Sequence, residues 1–411
     1  MRKQVERTVG GIMRWSRRKV LGTGVVGAAA VTASACGIGG GSDPTPSPTA
    51  TGSGSATPEP SPEPTDFSDA EPVVNFSNWP AYIDISRKNR PTTTLEDFTA
   101  ETGIDVVYTE DINDSAEFYA KVRLPLEQGQ DIGRDIVVLT EEGVELWIAL
   151  GYAQKLNKEL IPNAVNVIPG LADPPFDPNR EYSLPWQSGF TGFGWNGPLL
   201  QRDAGFDSIT SFDQFFDPRL EGRVAILSEM RDTMGLLLNW QGYQMDDFTT
   251  EQFDETLSVL QGYIDSGFIR QVAGNDYLAA LDNGDVIASI GWSGDVLALG
   301  GDSDFAMPDS GGMIWADNML IPARARHKAN AERLMNFYYE PLIAARVAQY
   351  VQYVCPVQGA QEAMEQVAPK LVDDPWIFPT PELLAQSQEF MALSPEEGEQ
   401  LERKFFTVAG L

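Results

Sequence analysis

Short apolar runs and segments with helical periodicity alternate along the chain from residue 72 onward. The pattern predicts strands at 73–76, 104–108 and 135–139, with helices at 94–102, from 115 and at 141–150. Because strand and helix alternate, each strand would reach the next through a crossover helix. The pattern therefore predicts an α/β lobe built on a parallel sheet.

The helices of this lobe carry recognisable capping signals. Thr93 and Glu96 form a capping-box pattern ahead of the first helix, which Gly103 would end. Asp114 and Glu117 stand in the same relation ahead of the second helix. The sequence thus predicts where both helices begin.

A segment rich in Pro, Gly and Asp at 162–180 ends the first round of alternation. An aromatic and glycine-rich segment follows at 186–195, and the alternation then restarts. It predicts strands at 224–227 and 286–292 and helices at 232–240 and 250–261, which indicate a second α/β lobe. A strand at 319–322 and a helix at 328–339 follow, and the pattern alone assigns them to neither lobe.

The first 36 residues do not belong to either lobe. A basic stretch containing Arg17 and Arg18 precedes the apolar run 20–31, as in export signals. Paired arginines are typical of the twin-arginine type, and a Sec signal is the alternative. Small residues at 33–35 lead to Cys36 in a pattern that resembles the lipobox of bacterial lipoproteins, although an ordinary cleavage site beside an incidental cysteine would look similar. We expect lipid on Cys36.

The tract 37–71 is rich in Gly, Ser, Pro and Thr, which is typical of a disordered linker between an anchor and a folded body. The predicted location is therefore the outer face of the cytoplasmic membrane, in the periplasmic or cell-wall space. If Cys36 carries lipid, Cys355 is the one remaining cysteine, and we expect it to be a small buried apolar residue. After residue 31 no apolar run approaches the 18 or so residues of a membrane span.

Charge narrows the range of partners. Residues 1–36 contain seven Lys or Arg and one Glu, so the remaining chain has 22 basic and 58 acidic side chains, a net charge of −36. Such a field repels nucleic acid and anionic lipid headgroups and attracts cations. A surface made acidic for solubility in salt would look the same, so charge alone does not identify the ligand.

Motifs for catalysis and cofactors are mostly absent. The single histidine, His327, is expected on a surface loop. Residues 291–294 fall short of a nucleophile elbow because Asp295 replaces its final glycine. The G-x-G-x-x-G pattern at 192–197 is followed by Pro198 and lies mid-chain, which favours a glycine-rich strand between lobes over a dinucleotide site. No enzyme activity, cofactor or metal is predicted.

Several segments, in order and spacing, resemble the spermidine/putrescine-binding proteins of polyamine ABC importers. They are residues 75–83 with 98–104, 118–121, 135–138, 175–179, 182–185, 311–317 and 321–323. The resemblance implies a type II periplasmic-binding-protein fold with a ligand cleft between two lobes. We expect lobe 1 at 72–189 plus 318–355 and lobe 2 at 190–317 plus 356–411. The implied partners are a polyamine and the ABC permease with its ATPase, for a monomeric receptor.

The resemblance also implies how the ligand is held. Aromatic rings would sandwich the methylenes and carboxylates would anchor the ammonium groups. The residues that match the family's ligand positions are Trp79, Tyr82, Trp292, Trp315, Tyr353, Glu229, Asp232 and Asp317. We add Asp295 because it follows Trp292 by three residues.

Two departures bear on the ligand. Pro80 and Ala81 stand where the spermidine-type pattern has a polar residue and a carboxylate, so one amine anchor is missing. Glu142 stands near a position that is aromatic in the family and would restore a carboxylate from another wall. A diamine, or another organic cation of similar length, is therefore expected.

Three alternatives stay open. A related receptor would bind an amino-acid derivative, an opine-like compound or thiamine, and Arg231 or Arg270 in the cleft would favour a ligand that bears a carboxylate. A surface glycan hydrolase would turn over its substrate. A structural or sensory lipoprotein without a ligand would have a cleft plugged by its own side chains.

Overall fold

The two rounds of alternation in the sequence become two parallel half-sheets joined by a pair of long antiparallel strands. The structure, a computed structural model, describes residues 64–86 and 90–411. Cys36, the predicted export signal and the predicted linker up to residue 63 lie outside the described residues. In the described part, the strands are β1 (Val73–Asn78), β2 (Asp105–Glu110), β3 (Ile136–Leu139), β4 (Ser183–Asn196), β5 (Val224–Leu227), β6 (Ile269–Ala273), β7 (Ala288–Trp292), β8 (Ser303–Ala306), β9 (Gly312–Leu320) and β10 (Ser387–Gln388).

Helices cover the faces and ends of the sheet. They are α1 (Thr94–Thr102), α2 (Ser115–Glu127), α3 (Glu141–Ala149), α4 (Gly197–Ala204), α5 (Phe212–Phe215), α6 (Met230–Trp240), α7 (Thr250–Asp265), α8 (Tyr277–Asp282), α9 (Ser293–Leu299), α10 (Lys328–Tyr338), α11 (Pro341–Val351), α12 (Ala360–Val367), α13 (Pro381–Leu384) and α14 (Pro395–Ala409). Short 3-10 helices occupy Lys158–Leu160, Pro162–Asn166, Pro169–Leu171, Pro178–Arg180, Pro218–Leu220 and Pro369–Leu371. No helix among the described residues is both long enough and apolar enough to cross a bilayer.

The helix starts follow the predicted caps. The Thr93 side chain accepts a hydrogen bond from the Glu96 amide, and the Glu96 side chain accepts one from the Thr93 amide, which completes the capping box of α1. Asp114 caps α2 by accepting from the Glu117 amide. Gly103 ends α1 at a φ of 73°, a conformation that side chains disfavour. These predicted boundaries are confirmed.

The strand order is β2-β1-β3-β9-β4-β7-β5-β6, with β10 added to β9 and β8 to β4. Strands β2, β1 and β3 are parallel, as are β7, β5 and β6. Between these half-sheets, β4 and β9 pair with each other and with their outer neighbours antiparallel. Both long strands therefore run from one half of the sheet into the other.

Two expectations need correction. Strand β9 begins at Gly312, seven residues before the predicted start at 319, because the polar pair Asp317 and Asn318 interrupts its apolar pattern just before that point. His327 does not lie on an exposed loop, since only 4% of it is accessible. Its Nδ1 lies 2.9 Å from Asp135 and its Nε2 lies 2.9 Å from Glu71. Burial opposes the imidazolium, but the two carboxylates outweigh it and raise the pKa of His327.

Candidate ligand-binding cavity

The predicted ligand residues follow the carboxyl ends of parallel strands. Trp79 and Tyr82 come after β1, Glu142 after β3, Asp232 after β5 and Asp295 after β7. In open α/β sheets these ends meet in a crevice, which is where ligands bind. Trp315 and Asp317 lie instead on β9, one of the two strands shared by the halves, opposite Gly189 and Gln187 of β4.

These side chains surround one cavity with an empty volume of about 640 Å³, which includes the part open to solvent. Nine of the ten predicted ligand residues line it, and the remaining one, Glu229, does not. The lining also contains residues outside the predicted set, namely Pro80, Thr140, Glu141, Arg231, Asn275, Met313, Ile314 and Phe390. Some open space remains among these side chains.

Aromatic rings form a continuous series around the cavity. Trp79 and Trp292 meet edge to face with ring centroids 6.0 Å apart, and Trp292 meets Trp315 at 6.5 Å. Tyr353 continues the series at 5.5 Å from Trp315 and 5.2 Å from Tyr82. Because each ring fixes its neighbour, the series is a rigid wall against which an alkyl chain or a cation can pack.

The position of the Tyr353 ring depends on Gly294, which has no side chain. A Cβ atom at Gly294, in α9, would lie 2.4 Å from Cδ2 of Tyr353, far inside van der Waals contact. Glycine at this position therefore lets the tyrosine ring lie flat on α9 and complete the aromatic wall.

Asp317 is the most completely buried anion in the cavity. The Tyr82 hydroxyl donates to its Oδ2 at 2.7 Å, whereas Oδ1 is buried without a hydrogen-bond partner among the described residues. Burial raises the pKa of Asp317 to about 8, and the nearby carboxyl of Glu142 adds to the rise. A buried oxygen without a donor is costly, so Asp317 is suited to a ligand that brings one.

Asp232 and Asp295 are held more firmly. Oδ1 of Asp232 accepts from the Trp292 indole at 2.9 Å and from the Thr191 hydroxyl. Asp295 accepts from Asn275 at 3.2 Å and from the Tyr353 hydroxyl. Burial nevertheless raises the pKa of each to about 7. Three carboxyls thus face one small space, where an ammonium ion would favour their ionised form.

One cation also lines the cavity. The Nε atom of Arg231 lies 4.0 Å from Glu142 Oε2, and its guanidinium lies 5.6 Å from the centroid of the Phe390 ring. Five Asp or Glu side chains and this single Arg make up the charged lining. The balance is strongly anionic, and Glu142 neutralises part of the charge of Arg231. Arg270, the other arginine considered from the sequence, is exposed on β6 and does not line the cavity.

Glu229 lies next to the cavity lining, but its side chain accepts a hydrogen bond from another part of the molecule. Its Oε1 accepts a hydrogen bond from the Ser115 amide at 2.9 Å, at the start of α2. Burial, followed by the charge of Asp114, raises the pKa of Glu229 well above its ordinary value. The acidic motif of the second lobe therefore brings Asp232 to the cavity and turns Glu229 towards the other half of the molecule.

Phe390 and Asn275 carried no recognisable signal in the sequence. Asn275 follows β6, and Phe390 follows β10, a strand of two residues that joins the edge of β9. Both reach the cavity through pairing between distant segments, which local patterns do not report. Within residues 64–86 and 90–411, no group of three His, Cys, Asp or Glu side chains is arranged to hold a metal ion.

The fold and the cavity define a solute-binding protein of the two-lobed periplasmic-binding type. A model of the bacterial extracellular solute-binding proteins matches residues 93–380, which is well over half of the chain. The chain belongs to that family.

Named relatives agree with this assignment. The spermidine/putrescine-binding periplasmic protein of Escherichia coli is 28% identical over 327 residues, covering 78% of this chain and 87% of the relative. The putrescine-binding periplasmic protein SpuD of Pseudomonas aeruginosa is 27% identical over 338 residues, covering 77% and 86%. A solved spermidine/putrescine ABC transporter protein from Listeria monocytogenes has the same fold, with a TM-score of 0.70 at 23% identity, and covers 82% of this chain and 99% of its own. The predicted resemblance and fold class are confirmed.

Proposed function

We propose that this chain is the solute receptor of an ABC importer and that it binds a linear polyamine, with putrescine the best fit, in the cavity between its half-sheets. The observation that carries the proposal is the combination of Asp232, Asp295 and Asp317 with a continuous aromatic wall. A diamine offers only two charges and an apolar stem, so carboxylates and π-faces are the groups that recognise it. An ammonium that left water without such a partner would be strongly disfavoured.

A diamine suits the cavity better than a longer polyamine. Pro80 lines the wall with no polar group, and Ala81 hydrogen-bonds to Glu110 through its amide, so this loop provides no side-chain anchor for a third ammonium. The names of the bacterial relatives, which include both putrescine and spermidine, support the ligand class without choosing within it.

The same proposal covers the setting of the receptor. An export signal at 1–36, lipid on Cys36 and a linker from residue 37 would tether the body outside the cytoplasmic membrane, where the monomer delivers its ligand to the permease and its ATPase. The linker was expected to extend to residue 71, but Asp66, Ser68 and Glu71 hydrogen-bond to the start of α10 and so belong to the body. The lobes are proposed at 72–189 plus 318–355 and 190–317 plus 356–411. The boundaries at 189 and 317 fall inside β4 and β9, the two strands that run between the halves. The boundary at 355 is proposed from the resemblance alone. Helices α11 and α12, on either side of it, pack against each other.

A second candidate is a receptor for a cationic solute that also bears a carboxylate. Arg231 lines the cavity and its Nε has no hydrogen-bond partner among the described residues, so it offers a site for an anion. The pairing with Glu142 and the four other carboxyls of the lining favour the polyamine.

Isothermal titration of residues 37–411 decides between these ligands. We expect micromolar or tighter binding of putrescine, weaker binding of spermidine and spermine, and recovery of the ligand unchanged. Cadaverine tests the spacing of the ammonium groups, and thiamine and arginine are the controls for other cations. Tighter binding of arginine than of putrescine would favour the second candidate, and turnover of any ligand would contradict a receptor.

A further inference from the structure

The two outermost strands of the sheet meet at their carboxyl ends. In the sheet order, six strands lie between β2 and β6. Neighbouring strands are about 4.8 Å apart, so in a flat sheet β2 and β6 would be separated by about 34 Å. Yet the amide of Asn275, just after β6, donates to the carbonyl of Asn113, just after β2, at 3.2 Å. The two half-sheets are therefore folded towards each other over the cavity.

Two more hydrogen bonds lie beside this contact. The Ser228 hydroxyl, after β5, donates to Oδ2 of Asp114 at 2.5 Å. The Ser115 amide donates to Oε1 of Glu229 at 2.9 Å. We call this set the latch. It consists of Asn113, Asp114 and Ser115 on one side and Ser228, Glu229, Gly274 and Asn275 on the other, and only Asn275 also lines the cavity.

Gly274 lets the two sides of the latch touch. A Cβ atom there would lie 2.4 Å from the carbonyl oxygen of Asn113, and its three nearest neighbours would all be atoms of Asn113. The φ angle of Gly274 is outside the left-handed region, so alanine carries no backbone strain at this position. A methyl group would therefore collide first with Asn113, on the opposite side of the latch.

We propose that the latch holds the two half-sheets closed over a bound ligand and that Gly274 is a positioning residue for ligand retention. The proposal rests on the proposed function, because the retained ligand is the solute in the cavity. A receptor that closes on its ligand releases it only after the contacts between its halves have broken. The latch therefore controls the dissociation rate through residues of which only Asn275 lines the cavity.

Gly274→Ala tests the latch. We expect putrescine to dissociate at least about 10-fold faster in stopped-flow measurements, with a matching loss of affinity, since most affinity changes at one site appear in the dissociation rate. The liganded variant should also have a larger radius of gyration by small-angle scattering. Gly262→Ala is the matched control, because a methyl group at Gly262, in α7, would have no other atom within 4 Å. Dissociation rates within twofold of the wild-type value would overturn the latch.

A second variant, Ser228→Ala, tests the latch independently of Gly274. If Gly274→Ala does not fold, Ser228→Ala replaces it, and the loss of one hydrogen bond is expected to speed dissociation about fivefold. A wild-type rate in that variant would overturn the proposal. If the wild-type protein binds no polyamine, the proposed function fails. The latch is then tested only by the radius of gyration from small-angle scattering. Gly274→Ala should then be more expanded than Gly262→Ala, and equal radii would overturn the latch.

Discussion

Replacement of Asp317 by asparagine is expected to weaken putrescine binding by about 100-fold or more. The substitution keeps the shape of the side chain, and the amide oxygen can still accept from Tyr82, so the cavity should keep its structure. What is lost is the negative charge opposite a buried ammonium. Removing one partner of such a desolvated pair costs about 2–5 kcal/mol, and each 1.4 kcal/mol is a factor of ten in affinity.

The matched control is Asp304→Asn, which removes one carboxylate from an exposed position on β8 and changes the net charge by the same amount. Its affinity should stay within about twofold of the wild-type value, because long-range effects of exposed charges are screened by salt. Isothermal titration of both variants, with circular dichroism to confirm folding, measures the difference. Equal losses in both variants would show that the overall acidity of the chain, rather than Asp317, attracts the ligand.

Putrescine binding is expected to release protons. In the protein alone, burial raises the pKa of Asp232 and Asp295 to about 7 and of Asp317 to about 8. An ammonium ion favours the ionised carboxylates, so each carboxyl that receives one must first lose its proton. At pH 7 about one to two protons should leave per diamine bound, and affinity should be roughly 100- to 1000-fold weaker at pH 6 than at pH 8.5.

Titrations in two buffers of different ionisation enthalpy measure the released protons directly. The expected result is a binding enthalpy that changes with the buffer at pH 7. The dependence should shrink towards about pH 8.5, where most of the carboxyls are already ionised and the diamine still carries both of its protons. A binding enthalpy that is independent of the buffer at pH 7 would contradict ionisation on binding.

Thermal unfolding of the unliganded protein provides the control. Between pH 4 and 8 the carboxyls of Asp232, Asp295 and Asp317 retain protons in the folded state. In the unfolded chain, where an Asp side chain has a pKa near 3.9, they have lost these protons. Because the folded state binds more protons, stability should fall as the pH rises through this window. The raised pKa of His327 acts in the same direction at pH values above 6.5. The stabilisation by putrescine should therefore grow as the pH rises.

The sequence predicted helices and strands well where caps, glycines or short apolar runs within the element itself determine its bounds. The capping box at Thr93 and the glycine at 103 gave α1 its bounds, and the apolar run Val224–Leu227 matches β5 without error. The first half of β9 escaped because Asp317, which lines the cavity, and Asn318 interrupt its apolar pattern. A functional strand breaks the alternation on which strand prediction depends.

The candidate site was predictable mainly through resemblance. Composition and periodicity alone would assign the aromatic residues to the core, and they are indeed largely buried. What no local pattern reports is which way a side chain turns after a strand, as the contrast between Asp232 and Glu229 shows. His327 is a similar case, since Glu71 and Asp135, the residues that bury and hold it, are more than 190 positions away.

The most direct test of the account is a crystal structure of residues 37–411 grown with putrescine. We predict that the diamine lies inside the cavity, with one nitrogen within about 3 Å of Asp317 Oδ1 and its methylenes against the rings of Trp292 and Trp315. The second nitrogen should contact Asp232 or Asp295. A diamine bound elsewhere, or a cavity that stays free of it at saturating concentration, would contradict the assignment of this cavity as a polyamine site.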